Sequence, residues 1–379
     1  MYRNPEQAYE HQFTRNEDVL SEAELGVLEK LSLEDQSPSP DHRDVLSYSG
    51  GAGLYTRKEV EADAGRIATI KERHRREHNS RSVIWENILS TQVAKLGWLG
   101  EGARVIKTTE FDDWFNHSDG VIEVSINGQI HHLAFDAVVA HPNAPAHSEK
   151  VNRLSSSIDS GEQTSIKYFI DHDRKKGDSP NVSKLEGIPR VILGITTDTV
   201  TNLCGSIADY LKCPDYQKRR QDFLEQKAKK HEIQFSLLRE ITNQLANEAL
   251  QTLIRLAELA DQFCSVRPTD SATRDNQDRL DGLKNLLSEY TILNKEKDFI
   301  KNFPKFTREV TAMSVDLEKL CNDLTRGYPA VDMIKEHFTL YKYFSRQLSN
   351  KKGPEVHDHP GADATVERLS RPWSVAVAA

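Results

Sequence analysis

The sequence predicts an α+β fold: a mixed β-sheet flanked by helices, followed by a C-terminal α-helical region. Apolar, β-branched runs bounded by turn residues fall between residues 103 and 195. Segments with helical spacing of apolar residues precede, interrupt and follow those runs. From Tyr216 to about Leu348 the helical period continues almost without a break.

Each element has its own signal. Residues 1–62 are polar, with a short helical pattern at Leu20, Leu25, Leu28 and Leu31, a Ser37-Pro38-Ser39-Pro40 linker and a Ser49-Gly50-Gly51-Ala52-Gly53 cluster. The region reads as loosely structured. Its glycine cluster lacks the Gly-Lys-Ser/Thr ending of a phosphate loop. From 63 to 97, Ile67, Ile70, Val83, Ile84, Ile88, Leu89, Val93 and Leu96 predict one long or broken helix carrying Glu86, with Gly97 as its stop. Ala103–Lys107 and Gly120–Ile126 read as strands. Asn127-Gly128 signals a tight hairpin into a third strand, Ile130–Ala140. A polar helix from about Ser148 to Ile158 follows, then a strand at Ser165–Ile170, a charged loop from Asp171 to Glu186 and an apolar central-type strand at Pro189–Ile195. Thr197-Asp198 opens the helix that runs from Val200 to Leu211.

Beyond it, stripes such as Phe235/Leu238/Ile241/Leu245 and Phe306/Val310/Met313/Leu317 predict helical hairpins or a small bundle. The pattern thus divides the chain into a polar N-terminal region (1–62), an α/β core (63–212), a helical region (213–349) and a disordered tail (350–379). The helical stripes keep no strict seven-residue repeat, which favours intramolecular packing over a coiled-coil dimer.

Composition narrows the function. The chain has 379 residues, 28% of them charged, a mean hydropathy of -0.62 and a formal net charge of -8. No apolar run is long enough to cross a membrane, and the first residues contain no secretory pattern, so a cytoplasmic protein without membrane contact is expected. The net charge argues against indiscriminate coating of nucleic acid but not against a local basic groove. Basic runs occur at Lys71–Arg76 and from Lys218 to Lys230. The four cysteines form no CxxC pair and read as reduced packing residues.

The acids carry the chemistry. Asp136 lies in His131-His132-Leu133-Ala134-Phe135-Asp136-Ala137-Val138-Val139, where an ionised carboxylate is costly unless a metal or hydrogen-bond donors receive it. With Glu86 on the first helix, Asp119 at the start of the second strand and Asp136 inside the third, the helix-strand-strand-strand-helix-strand order resembles the PD-(D/E)XK nuclease superfamily over about residues 81–211. That resemblance implies a nuclease or nuclease-derived protein that hydrolyses phosphodiester bonds. It assigns Mg or Mn to Asp119 and Asp136, supported by Glu86. Nucleic acid is then the expected partner, with the C-terminal helices holding DNA, another protein or a second copy.

The sequence departs from the family pattern in two places. The lysine expected two residues after the second acid is replaced by Val138, and Ser118 precedes Asp119 where proline is usual. Lys167 on the following strand, or Lys150 on the following helix, stands as the replacement. Each residue also has an ordinary reading: Asp119 as a turn former in Asn116-His117-Ser118-Asp119-Gly120, Asp112 and Asp113 as turn or capping residues, and Lys167 as a strand-edge charge. His131 and His132 point to opposite faces of one strand, and His357-Asp358-His359 lies in the tail. Neither group forms a closed ligand set. A noncatalytic interaction protein, with structurally satisfied acids beside a helical assembly region, is the alternative. Basic residues around the carboxylates would favour the nuclease.

Overall fold

Alternation of apolar residues sorts the strands into two unequal faces, and one four-stranded sheet results. The computed structural model describes residues 20–34, 44–48, 54–73, 80–93, 95–140, 145–160, 164–171, 181–213, 217–266, 271–295, 299–313, 317 and 330–351. The presumed tail beyond 351, the Ser37–Pro40 linker, the 49–53 glycine cluster and the His357–His359 motif lie outside them.

Strands β1 (Arg104–Lys107), β2 (Gly120–Ile126) and β3 (Gln129–Val139) form an antiparallel meander, and β6 (Arg190–Ile195) lies parallel to β3, giving the order β1-β2-β3-β6. Positive φ at Asn127 (53°) and Gly128 (80°) closes the β2–β3 hairpin as its sequence predicts. Helix α5 (Pro145–Ser160) starts the crossover from β3 to β6, consistent with the length a parallel connection requires.

The crossover also contains a second sheet. Strand β4 (Thr164–Asp171) pairs with β5 (Asn181–Ile188), which occupies the end of the stretch read as a charged loop. Lys184, Glu186 and Gly187 interrupt the apolar residues Val182, Leu185 and Ile188, and the pairing register shifts at Gly187, so the strand's apolar period is short. Another short element is helix α4 (Glu110–Phe115), capped by Thr109, whose Oγ accepts the Asp112 N–H. The helical stretch of 63–97, expected as one long or broken helix, takes the broken form: α2 (Arg57–Arg73) and α3 (Ser80–Ile88), which runs into a π turn at Leu89–Val93.

One sheet face, formed by Leu133, Phe135, Ala137 and Val139 with Ile122, Val124, Val191 and Leu193, belongs to the main core. Helix α3 packs there through Ile84, Trp85 and Ile88, together with α6 (Thr197–Leu211). Within the stretch read as loosely structured, α1 (Glu22–Glu34) contributes fully buried Val27 and Leu31 to this core. Its start is a reciprocal capping box: the Ser21 N–H donates to Glu24 (2.7 Å) and the Glu24 N–H to Ser21 Oγ (3.3 Å). The buried Glu24 carboxylate also receives Arg81 (2.7 Å) and Thr201 (3.0 Å), tying α1 to α3 and α6.

The main core continues without a break into the helical region. Helix α7 (Lys218–Lys229) leads to α8 (Ile233–Val266), followed by α9 (Ser271–Lys295), α10 (Phe299–Ala312) and α11 (Ala330–Asn350). Leu238, Ile241 and Leu245 of α8 share the core with the sheet.

Helix α8 covers the outer edge of β6 with polar side chains. Gln244 accepts the Ile192 N–H (2.8 Å) and donates to the Ile192 carbonyl (2.7 Å), while Glu240 accepts the Gly194 N–H (3.3 Å). Glu248 faces the backbone N–H and guanidinium of Arg190 and contacts His337 of α11 (2.9 Å). Residues four apart on a helix rise about 6 Å, close to the roughly 6.6 Å between alternate strand residues. The helix therefore supplies side chains in register with the strand's outward groups.

Two predictions follow from these contacts. Replacing Gln244 by Leu should orphan both backbone groups of Ile192 and lower unfolding free energy by about 2 kcal/mol or more in urea titrations. For Glu24, burial opposes ionisation, but the bonds from Arg81, Ser21 and Thr201 outweigh it and hold the carboxyl at about 2 against an ordinary 4.5. Its stabilisation is complete above pH 4.5 and is lost as pH falls towards 2. The stability gap between wild type and a Glu24→Gln variant should accordingly close across that window.

Candidate functional site

The second sheet face is covered by two separate patches. The β4–β5 hairpin lays Ile166, Phe169 and Ile188 over Val121 and Ala134, while α5 lays Val151 and Leu154 over Val138 and Ile192. Asp136 alternates with Ala134 and Val138 on this face, so it emerges between the two patches. Asp119 shares the side of Val121 and lies one rung beyond the Gly120–Phe135 pair.

Gly120 permits this approach. A Cβ there would stand 2.4 Å from the Phe135 ring and 2.9 Å from the Ile106 carbonyl. Without it, the ring lies across β2 and the Asp119 N–H reaches the Phe135 carbonyl (2.9 Å). Where the ladder ends, the Asp119 carboxylate takes over as acceptor for the Ala137 N–H (2.6 Å).

Lys150 of α5 completes the cluster. Its Nζ donates to Asp136 Oδ1 and to the Ala137 carbonyl (2.6 Å), and it lies 3.9 Å from Asp119 Oδ2. Burial opposes the ammonium charge, but Asp136, Asp119 and Glu86 outweigh it and raise its pKa, so Lys150 remains a cation. Burial, reinforced by the negative charge of Asp136, pushes the Asp119 carboxyl well above its usual range despite Lys150. Glu86, half-buried on α3, contributes its charge at both Asp119 and Lys150.

Two arginines lie near His117, beside the turn that precedes Asp119. His117 has a left-handed backbone (φ 53°), and its pKa is lowered first by burial, then by Arg153, Arg190 and Lys150, with Asp136 opposing. Buried Arg190 donates to the Asn116 carbonyl (3.1 Å) and Ser157 Oγ (3.3 Å), fixing the turn before Asp119 to α5. Arg153 contacts only the exposed end of Glu149 at 3.6 Å among described ion pairs. His117, Arg153 and Arg190 have no family motif and were not singled out in the sequence.

Lys167 stands apart from this cluster. Its Nζ donates to Asp63 (2.5 Å) and lies over the rings of Phe111, Tyr168 and Tyr55. Its backbone N–H donates to Asp112 (2.6 Å), which also accepts from Tyr168, Thr109 and Asn116. Strand β4 directs Lys167 towards α2 and α4, and the charge-paired Asp63 retains it there. Buried Asp112 is a structural acceptor between α4 and β4. His131 contacts Glu336 of α11 (2.9 Å), whereas His132 faces Glu123 (3.3 Å) on the other side of the strand.

No group of three or more His, Cys, Asp or Glu side chains among the described residues is arranged to hold a metal ion. The Asp119–Asp136 pair offers oxygen donors, already partnered by the Ala137 N–H and Lys150. Mg commonly uses one or two carboxylates together with water and substrate phosphate. Were a divalent ion to bind here, the two carboxylates would suit Mg or Mn in that mode.

No protein-family model matches the chain, and no curated protein or solved structure matches it either. No described helix is long and apolar enough to cross a membrane.

Replacing Gly120 by Ala should force Phe135 and β2 apart, lower stability by about 1–3 kcal/mol, and accelerate hydrogen exchange at the Ala137 amide. Unchanged exchange there would separate the glycine from the placement of Asp119.

Proposed function

We propose that this chain is a nuclease-type phosphodiester hydrolase whose site consists of Asp119, Asp136 and Lys150, with Glu86 in support. The observation that carries this reading is the convergence of Lys150 on both strand acids. It supplies from the crossover helix the cation that the family pattern places at residue 138 of the strand. Val138 itself packs beneath Val151 and Leu154, where a lysine would have to bury its charge.

Asp119 and Asp136 would hold the metal ion, which when bound would lower the pKa of water and neutralise phosphate charge. Lys150 has a raised pKa and therefore acts as a fixed positive charge beside the scissile phosphate, not as a proton acceptor. Glu86 adds negative charge that favours cation capture. Arg153 and Arg190, whose charges act on neighbouring His117, would attract phosphate in a chain of net charge -8.

A second reading has one specific observation in its favour. Both acids already have protein partners, since Asp119 accepts the Ala137 N–H and Asp136 is paired with Lys150. A noncatalytic domain that retained this cluster for stability would use the helical region to bind another protein.

The discriminating assay incubates purified chain with linear, circular and single-stranded DNA and with RNA in Mg or Mn. Metal-dependent cutting is expected. It should fall about 100- to 1,000-fold in Asp136→Asn and Lys150→Met variants and persist in Lys167→Met. Absence of cutting by folded wild-type protein under every condition would remove the hydrolase reading and leave the interaction protein.

A further inference from the structure

Helix α7 has a surface unlike the rest of this acidic chain. From Lys218 to Lys230 it carries six basic residues against two acidic ones, a local surplus of four positive charges where the whole chain is -8. Its orientation is fixed from beneath. Leu224 packs with Tyr210 and Cys213, and Ala228 is fully buried with its carbonyl accepting Trp98 Nε1 (3.0 Å).

With those residues turned inward, Phe223 points outward. At 68% it is the most exposed large hydrophobic side chain among the described residues. Arg219, Phe223, Lys227 and Lys230 follow one another at spacings of four, four and three, which places them along one helical face. Lys229 is paired with Glu225 (2.7 Å) on the neighbouring side. A lone aromatic ring bracketed by cations on a rigid helix combines the two elements of sequence-tolerant single-strand recognition: a stacking platform and phosphate contacts.

We propose that this face of α7 binds single-stranded nucleic acid, with a base stacked on Phe223 and phosphates on Arg219 and Lys227. A duplex keeps its bases within the stack and offers this ring no face. An anionic membrane would require a continuous apolar helix face to bury, whereas the other apolar residues of α7 are committed to the protein interior. The inference extends the hydrolase reading to a substrate class, but binding is measured without metal, so failure of one is distinguishable from failure of the other.

The test is fluorescence anisotropy of labelled oligothymidine, a mixed-sequence single strand and its duplex, in EDTA, across a salt series. Wild type should prefer single strands. Phe223→Ala should weaken that binding about 5- to 100-fold with little effect on duplex, and Phe223→Trp should retain it. An Arg219→Glu/Lys227→Glu variant should bind more weakly and with a shallower salt dependence. Unchanged single-strand affinity in Phe223→Ala would overturn the proposal, as would binding to phosphatidylserine vesicles without oligonucleotide binding.

Discussion

The outer edge of β6 is the constraint on which the two halves of this molecule depend. β6 is the last strand of the sheet, and without a neighbour its outward N–H and C=O groups at Arg190, Ile192 and Gly194 would require water or another strand. Helix α8 meets that requirement with Glu240, Gln244 and Glu248. Because polar side chains replace a fifth strand, the surrounding apolar residues of α8 can join the sheet core directly. The helical region is thereby part of the same folded unit through backbone hydrogen bonding as well as apolar burial.

This edge also connects to the carboxylate cluster. Arg190 begins β6 opposite Ala134, and its guanidinium reaches the Asn116 carbonyl and Ser157, thereby holding the turn that presents Asp119. Behind it, Glu248 faces Arg190 and contacts His337 Nε2, while His337 Nδ1 donates to the Met333 carbonyl (2.6 Å). Burial raises the Glu248 pKa while the imidazole and Arg190 oppose it. A polar chain thus runs from α11 through α8 and β6 to the turn before Asp119, in a region where loss of one member would leave a buried group unsatisfied.

Much of the sheet was legible in the sequence because its strands are apolar runs bounded by strong turn signals. Gly120–Ile126 matches β2 at both ends, and Asn127-Gly128 marks the hairpin. β5 was obscured because Lys184, Glu186 and Gly187 interrupt a strand that needs only a few apolar residues to face its small sheet. Helix α4 was obscured by its acidic first turn, which also reads as a turn sequence. For the candidate site, the cost of burying Asp136 pointed to β3, where Lys150 partners it, but spacing could not tell which of Lys150 and Lys167 lies beside it. That choice depends on the crossover path: α5 runs back over the sheet and brings Lys150 onto the acids, whereas β4 leaves the main sheet to pair with β5 and carries Lys167 to Asp63. The ladder of α8 was equally hidden, since Glu240, Gln244 and Glu248 on an otherwise apolar helix look like an ordinary polar face until β6 lies beside them.

The location of the lysine has an electrostatic consequence. A cation on the strand at residue 138 would be held by the sheet itself, whereas Lys150 reaches the acids from a helix on a flexible side chain. It satisfies Asp136 directly and lies 3.9 Å from Asp119, whose carboxyl burial and the charge of Asp136 keep well above its usual range despite the lysine. In the proposed hydrolase, an ion held by Asp119 and Asp136 would supply positive charge where Lys150 falls short. A lysine at residue 138, packed under Val151 and Leu154, would instead have to bury its own charge.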